Sequence, residues 1–282
     1  MKKKYSLGLY EKALPDDLNW KDKAECCKAA GFDRLELSID ESDWRLARLE
    51  NNSADYDSFC KEIINLSVPV RSLCLSAHRK YPLGSHDVDI RKRSLDIMDK
   101  ALVLADRLGI RMIQLAGYDV YYEESDQQSE TYFRENLKNC IEMAARHGII
   151  LAFETMETAF MDTVTKGMKY IRIMNSPFLQ MYPDIGNLNN SAILYGHSIR
   201  DDLLQGKGAI VAAHLKETKP GVYRNMNFGS GCTDYSNALE ELWQQGVRFY
   251  TAECWYLGSP DWESELKLSS RFLRQKIEEA AK

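Results

Sequence analysis

Apolar residues occur along the chain in eight short runs, and each run ends in polar residues. Continuous apolar runs of this length are typical of strands that are buried on both faces of a parallel sheet. The pattern therefore predicts eight strands, at residues 5–10, 34–39, 71–76, 112–116, 149–153, 179–182, 210–215 and 249–252.

Amphipathic stretches separate these runs, with apolar residues at the spacing of one helix face. The clearest of them predict helices at residues 20–30, 89–108, 131–146 and 235–245. A glycine follows each stretch directly or within two residues, which is typical of a left-handed helix C-cap. Each helix is therefore predicted to end at Gly31, Gly109, Gly148 or Gly246 and to lead into the next strand.

Eight alternations of strand and helix, without a break in composition, indicate parallel strands joined by crossover helices. For 282 residues we predict a single (β/α)8 TIM barrel that forms one domain over residues 1–282. The competing prediction is an open, doubly wound sheet. The segment after the first run, residues 8–12 (GLYEK), lacks the glycine pattern with which such sheets bind dinucleotides.

Composition narrows the class of protein. Hydrophobic residues make up 44% of the chain and charged residues 28%, as in an ordinary enzyme. The net charge of −5 provides no basic field for nucleic acid or a membrane surface. No apolar run reaches the roughly 20 residues of a membrane span. Glu11 and Lys12 interrupt any signal sequence, and the seven cysteines contain no C-x-x-C pair. These features predict a cytoplasmic protein with free thiols.

Four ionisable residues lie at the ends of the last four predicted strands: Glu154, Asp184, His214 and Glu253. The carboxyl ends of barrel strands converge on one face, where active sites lie. Glu154 and Glu253 directly follow apolar residues, and an unpaired charge there would be unfavourable. Three carboxylates and one imidazole suit Mn, Mg, Co or Zn in an octahedral or five-coordinate site. We therefore expect one divalent metal ion, although a lone histidine in such a strand is more often a hydrogen-bonded core residue.

Several strings resemble the L-ribulose/L-xylulose-5-phosphate 3-epimerase family of the xylose-isomerase-like barrels. The most specific is residues 113–122 (IQLAGYDVYY), and the others are 9–15 (LYEKALP), 75–79 (LSAHR), 82–85 (PLGS), 182–188 (YPDIGNL) and 214–222 (HLKETKPGV). The resemblance spans nearly the whole chain. It implies a role in L-ascorbate and pentose catabolism and a metal site at the four residues named above. It also implies that Glu154 and Glu253 are the catalytic acid and base.

The reaction that this resemblance implies interconverts L-xylulose 5-phosphate and L-ribulose 5-phosphate through a cis-enediolate. Inversion at C3 requires two acid/base groups on opposite faces of a planar intermediate, or one that reaches both. A divalent cation, with Zn or Mn preferred and Mg or Co compatible, would stabilise the developing charge. Nicotinamide and flavin are not required. Candidates for holding the substrate and its phosphate are His78, Arg79, Lys216, Lys219 and the backbone of Gly229 and Gly231.

Other functions stay open at this point. An aldose-ketose or hydroxypyruvate-type isomerase on the same barrel would use similar ligands and move hydrogen between C1 and C2. A DNA-cleaving barrel of the AP-endonuclease type would need several zinc ions and more histidines than the five present. A non-enzymatic sugar sensor would not need the complete ligand set. Aromatic residues near the last strand, Trp255, Tyr256 and Trp262, could support a homodimer.

Overall fold

The computed structural model describes residues 4–50 and 54–282 of the chain. Its sheet contains eight parallel strands that match the predicted runs closely. They are β1 Ser6–Tyr10, β2 Arg34–Ile39, β3 Val70–Leu75, β4 Met112–Ala116, β5 Ile150–Glu154, β6 Leu179–Met181, β7 Ala213–Leu215 and β8 Phe249–Ala252.

The sheet closes on itself. Its order is β6-β5-β4-β3-β2-β1-β8-β7, and two isolated parallel bridges, Met181 to Ile210 and Asp184 to His214, connect its ends. The predicted (β/α)8 barrel is therefore confirmed, and the open doubly wound sheet is excluded. The second bridge also places two of the candidate metal ligands on adjacent backbone positions.

Two strands differ from the prediction in a way that affects the site. Strand β5 extends one residue further, because Glu154 pairs with Ala116 of β4 and so belongs to the sheet itself. Strand β7 begins at Ala213 rather than at residue 210, since Ile210 contributes only the bridge to Met181. The carboxylate of Glu154 is thus held by a strand and not by a loop.

Ten α-helices surround the barrel in the described part of the chain. They are α1 Trp20–Ala29, α2 Asp43–Leu46, α3 Ala54–Ile64, α4 Val88–Leu108, α5 Gln127–His147, α6 Val164–Met174, α7 Ile185–Tyr195, α8 Ile199–Gln205, α9 Tyr235–Gln244 and α10 Trp262–Ala280. Short 3₁₀ turns follow β1, α2 and β3 at Glu11–Ala13, Ala47–Leu49 and Ser76–Arg79.

Helices α4 and α5 begin and end at their capping residues. Gly109 and Gly148 adopt φ of 69° and 63° after α4 and α5, as the sequence predicts. Helix α5 begins earlier than predicted, because Asp126 and Ser129 exchange hydrogen bonds in a capping box. Helices α4 and α5 are amphipathic, and no helix among the described residues is long and apolar enough to span a bilayer.

Candidate metal centre and active-site cavity

The four candidate ligands meet at the carboxyl end of the barrel. Glu154 ends β5, Asp184 caps α7 after β6, His214 lies in β7, and Glu253 directly follows β8. All four are buried, and one ligand atom from each lies within 4.8 Å of the others. The fold thus assembles from distant segments a group that can hold one metal ion.

The contacts within this group leave oxygen atoms that could bind a metal ion. The Nδ1 atom of His214 lies 3.2 Å from Oε1 of Glu154 and 3.3 Å from Oε2 of Glu253. Oδ2 of Asp184 and Oε2 of Glu253 are buried and accept no hydrogen bond from the described residues, although the Lys216 ammonium lies 2.9 Å and 3.3 Å from them. Oxygen and imidazole donors of this kind fit Zn, Mn, Mg or Co.

The carboxylates perturb one another strongly. Burial raises the pKa of Glu154, and the charge of Glu253 raises it further. Burial also raises the pKa of Asp184 well above its usual range despite the neighbouring Lys216. Burial acts in the same sense on Glu253, but Lys216 and His214 outweigh it and hold that pKa well below its usual range. A divalent cation would relieve the repulsion among the three carboxylates.

Glu36 supports His214 from below. Its Oε1 lies 2.6 Å from Nε2 of His214, and its Oε2 accepts hydrogen bonds from Ser72 Oγ at 2.6 Å and Tyr182 OH at 2.8 Å. Burial opposes ionisation of Glu36, but His214 and Arg34 lower its pKa, so it remains a carboxylate. Nε2 therefore faces Glu36 as a donor. Burial lowers the pKa of His214, but the surrounding carboxylates raise it well above its usual value. Nδ1 faces Glu154 and Glu253, where a metal ion would bind it in place of a proton.

Arg34 lies one step deeper in the barrel. Its guanidinium donates to the carbonyl of Tyr250 at 2.8 Å, Thr251 Oγ1 at 2.9 Å and Ser72 Oγ at 3.2 Å. Gly8 makes room for it, because a Cβ at Gly8 would lie 2.3 Å from an Arg34 nitrogen. A fully buried cation thus compensates Glu36 beneath the metal centre.

Sequence reasoning gave no role to Arg34 and Glu36. The signal was present: two charged residues, spaced by two, interrupt the otherwise apolar strand β2 and so point to the same side of the sheet. Gln114 of β4 was also left without a role, and its side-chain amide donates to Oε2 of Glu154. Glu36 and Gln114 contact the ligands His214 and Glu154 directly, and Arg34 acts through Glu36. None of the three is among the four residues that could hold the metal ion.

A cavity opens above the four ligands at the mouth of the barrel. Two of the ligands, Glu154 and Glu253, form part of its wall. Its other lining residues are Tyr10, Lys12, Cys74, Ser76, Arg79, Ala116, Tyr118, Met156, Glu157, Asn187, Lys216, Tyr223, Arg224 and Trp255. A small polar substrate in this cavity would contact both glutamates.

The structure brings some of the predicted substrate-binding residues to this cavity and not others. Arg79 and Lys216 line it. His78 does not: its ring is buried, with Nε2 3.1 Å from the carbonyl oxygen of Ser94, and burial lowers its pKa to about 4. Lys219 is exposed and forms a tight turn with Val222 away from the cavity lining.

The loop after β7 that contains Gly229 and Gly231 surrounds an anion, and that anion is a side-chain carboxylate of the protein itself. The amide of Gly229 donates to Oε2 of Glu217 at 2.6 Å, and the amide of Thr233 donates to Oε1 at 3.1 Å. A Cβ at Gly231 would lie 2.5 Å from the same carboxylate. The Gly229 amide is therefore already satisfied, and neither glycine lines the cavity.

Comparison with known proteins agrees with this architecture. The xylose isomerase-like TIM barrel family matches residues 24–276. The L-ribulose-5-phosphate 3-epimerase UlaE of Shigella boydii serotype 18 is 40% identical over 281 residues, which cover 99% of this chain and 98% of the relative. The enzyme of the same name from Escherichia coli O157:H7 gives the same values. The chain belongs to the L-ribulose-5-phosphate 3-epimerase family.

Solved structures share the fold of this family member. An L-ribulose 3-epimerase aligns with a TM-score of 0.76 at 17% identity, over 98% of this chain and 95% of the other. A D-psicose 3-epimerase from Clostridium cellulolyticum H10, determined with D-tagatose, aligns with a TM-score of 0.78 at 15% identity, over 96% and 99%. At these identities the likeness concerns the fold.

Proposed function

We propose that this protein is a metal-dependent 3-epimerase that interconverts L-xylulose 5-phosphate and L-ribulose 5-phosphate by proton transfer at C3. The observation that carries the proposal is the buried group of Glu154, Asp184, His214 and Glu253, with ligand atoms within 4.8 Å of one another. The 40% identity to enzymes named L-ribulose-5-phosphate 3-epimerase supports the choice of substrate.

The chemistry requires help with an unfavourable proton transfer. The hydrogen on C3 of a ketose is far too weak an acid to be removed by a glutamate alone. A divalent cation held by the four residues would polarise the C2 carbonyl and stabilise the negative charge that develops on its oxygen. We favour Zn or Mn, with Mg or Co compatible with the same donors.

Two glutamates then perform the inversion. Glu154 ends β5 and Glu253 follows β8, so the two carboxylates enter the cavity from strands that lie on different sides of the barrel. One removes the proton from one face of C3, and the other returns a proton to the opposite face of the planar intermediate. Because hydrogen moves as a proton, the reaction needs neither nicotinamide nor flavin.

The supporting residues hold these groups in place. Gln114 fixes one oxygen of Glu154, and Asp184 is tied to α7 by the hydrogen bond that its Oδ1 accepts from the amide of Asn187 at 2.7 Å. Lys216 balances part of the negative charge at Asp184 and Glu253. Such fixed partners reduce the reorganisation that the proton transfers require.

The test is to incubate the metal-loaded protein with L-xylulose 5-phosphate in deuterated water and to follow the products by NMR. We expect L-ribulose 5-phosphate with deuterium at C3, and loss of the reaction after chelation. Deuterium at C1 or C2 with an aldose product would instead identify an aldose-ketose or hydroxypyruvate-type isomerase and would overturn the proposal.

Three further expectations from the sequence stay proposals. They are that the protein forms one domain over residues 1–282, that it acts in the cytoplasm, and that the aromatic residues near β8 could serve a homodimer. Of the three aromatic residues suggested for the dimer, Trp255 lines the active-site cavity, whereas Tyr256 is exposed and packs edge-to-face on Trp262. Light scattering of the purified protein measures the oligomeric state directly.

A further inference from the structure

A second cavity lies at the end of the barrel opposite the metal centre. It encloses about 540 Å³, a volume typical of sites for small ligands. Its lining residues include Arg34, Ile150 and Phe249, which are the first residues of β2, β5 and β8. It shares no lining residue with the active-site cavity. This amino-end cavity is therefore a separate feature of the barrel.

The floor of the amino-end cavity is apolar. It consists of Met112, Ile150, Val211 and Phe249, which pack against buried residues inside the barrel and stay partly exposed on their outer side. Apolar side chains on a concave surface are stabilised when an apolar group covers them. The floor therefore favours a ligand with an apolar body.

The charged residues around this floor are mainly cations. Three of the lining residues are arginines, namely Arg34, Arg71 and Arg111. Asp33 is the one carboxylate among the lining residues that the structure describes, and its Oδ1 already lies 3.1 Å from Arg274. The cavity thus carries an excess of positive charge, which favours an anionic ligand.

Two of these arginines lie on neighbouring strands at the same level. Leu73 of β3 pairs with Ile113 of β4, and Arg71 and Arg111 each precede a member of this pair by two residues. Arg111 forms an exposed ion pair with Asp106 at 2.8 Å, which is a weak interaction in water. The side chain of Arg71 has no partner in the part of the chain that the structure describes. An anion between the two guanidinium groups would relieve their repulsion.

Arg34 adds positive charge from within the barrel. Its guanidinium carbon lies 3.3 Å from the centre of the Phe249 ring, and the residue is almost fully buried. It therefore acts on the cavity through its electric field and not through a hydrogen bond. Its counter-charge, Glu36, lies farther along β2 and does not line the cavity, so the positive end of this pair is the nearer one.

We propose that the amino-end cavity binds a small organic acid, with its carboxylate between Arg71 and Arg111 and its apolar body on the floor. Guanidinium groups match carboxylate oxygens in paired hydrogen bonds. An inorganic anion would leave the floor uncovered, and a neutral apolar molecule would leave Arg71 without an acceptor. This ligand site goes beyond the proposed function, because it contains none of the four candidate metal ligands.

The first test is calorimetry of the metal-loaded, full-length protein with hexanoate at neutral pH. Acetate has the same carboxylate without the apolar body, and it also controls for binding at the metal centre. Hexanol has the apolar body without the charge. We expect hexanoate to bind at least about tenfold more tightly than either control, because only hexanoate uses both the arginines and the floor.

The second test changes the two exposed arginines. Arg71→Glu should weaken hexanoate binding about tenfold or more, and Arg111→Gln should weaken it about three- to tenfold. Arg172→Glu is the matched control, because Arg172 is an exposed arginine of α6 outside the cavity and the net charge changes equally. It should leave the affinity within about twofold. Circular dichroism of all three variants should match the parent.

Met112 reports where the ligand binds. In NMR spectra of protein with isotope-labelled methionine methyl groups, Met112→Leu identifies the Met112 signal by its disappearance. Hexanoate should shift this signal in the parent and in Arg172→Glu. At the same hexanoate concentration, Arg71→Glu should show a much smaller shift.

Several results would overturn the proposal. If hexanoate does not bind at millimolar concentrations, or binds no better than acetate, the floor and the arginines do not form a site. If Arg71→Glu and Arg172→Glu bind it equally, or if the Met112 signal does not shift, hexanoate binds elsewhere on the protein. None of these measurements depends on turnover, so failure of the proposed epimerase activity would be distinguishable from failure of this site.

Discussion

The Nε2 atom of His214 lies 2.6 Å from Oε1 of Glu36, and both side chains are fully buried. This contact joins the second strand of the barrel to the seventh. It directs Nε2 to Glu36 and turns Nδ1 toward Glu154 and Glu253, where a cation would replace its proton. The ligand geometry of the candidate site thus depends on a residue that does not belong to it.

Replacing Glu36 should weaken metal binding. In Glu36→Gln the charge is lost and the imidazole loses its anionic partner, so we expect metal affinity to fall about 10- to 100-fold. Titration against a chelator of known affinity measures the change. At saturating metal, activity should recover in large part, and an unchanged affinity would show that Glu36 only packs beneath His214.

Removing either acid/base group should stop the reaction at C3. We expect Glu154→Gln and Glu253→Gln each to lower the rate of epimerisation and of C3 exchange with solvent about 10²- to 10⁴-fold. Both variants keep the size and hydrogen-bonding shape of the side chain, so circular dichroism should match the parent. Wild-type turnover in both would contradict the assignment of these residues.

Metal binding should stabilise the fold. Three carboxylates of different strands repel one another around His214, and a cation that binds only the native state removes this repulsion. At about 100 times the dissociation constant the gain is about 2.7 kcal/mol, which corresponds to a rise in Tm of about 5–10 °C. Calorimetry with and without chelator measures it. The same addition to Asp184→Asn should give a clearly smaller rise.

The buried ion pairs of Glu11, the residue that follows β1, should make the stability of the fold depend on pH in the acid range. Glu11 is fully buried, where it binds Arg48 through both oxygens at 2.7 and 2.8 Å and the Ser38 amide at 2.9 Å. Burial alone would raise its pKa, but Arg48 and Lys23 lower it below its usual value. Glu11 therefore stabilises the native state above its unfolded pKa of about 4.3, and this contribution disappears as pH falls through the lower folded value.

The measurement is urea unfolding of the parent and of Glu11→Gln at a series of pH values. At neutral pH the variant should be less stable by about 3–5 kcal/mol, because Arg48 is left without its carboxylate. The difference should shrink as pH falls below about 4.3. A constant difference across this range would mean that Glu11 contributes by packing alone.

The barrel could be predicted from the sequence because short segments determine their own secondary structure. Strands such as β1 and β5 are largely apolar runs, and helices such as α4 and α5 end at a glycine, so these short segments specify their own conformation. Eight such alternations leave few ways to bury every strand. The positions of Glu154 and Glu253 at strand ends follow from the same local pattern, and so does their placement at one end of the barrel.

The contacts that could not be predicted from the sequence are those between side chains that meet across the barrel. Spacing alone does not show that Glu36 reaches His214, that Glu217 occupies the glycine loop, or that the His78 ring turns away to Ser94. A buried charge must find a partner, but the chain order does not say which one.

The sequence by itself thus determined the order of strands and helices and the four residues at the strand ends, because hydrophobic periodicity and capping act over a few residues. Only the tertiary structure decided which of the nearby charged groups face the cavity. Arg79 and Arg224 follow β3 and β7 in the chain, and both line the active-site cavity only because the closed barrel brings those segments together.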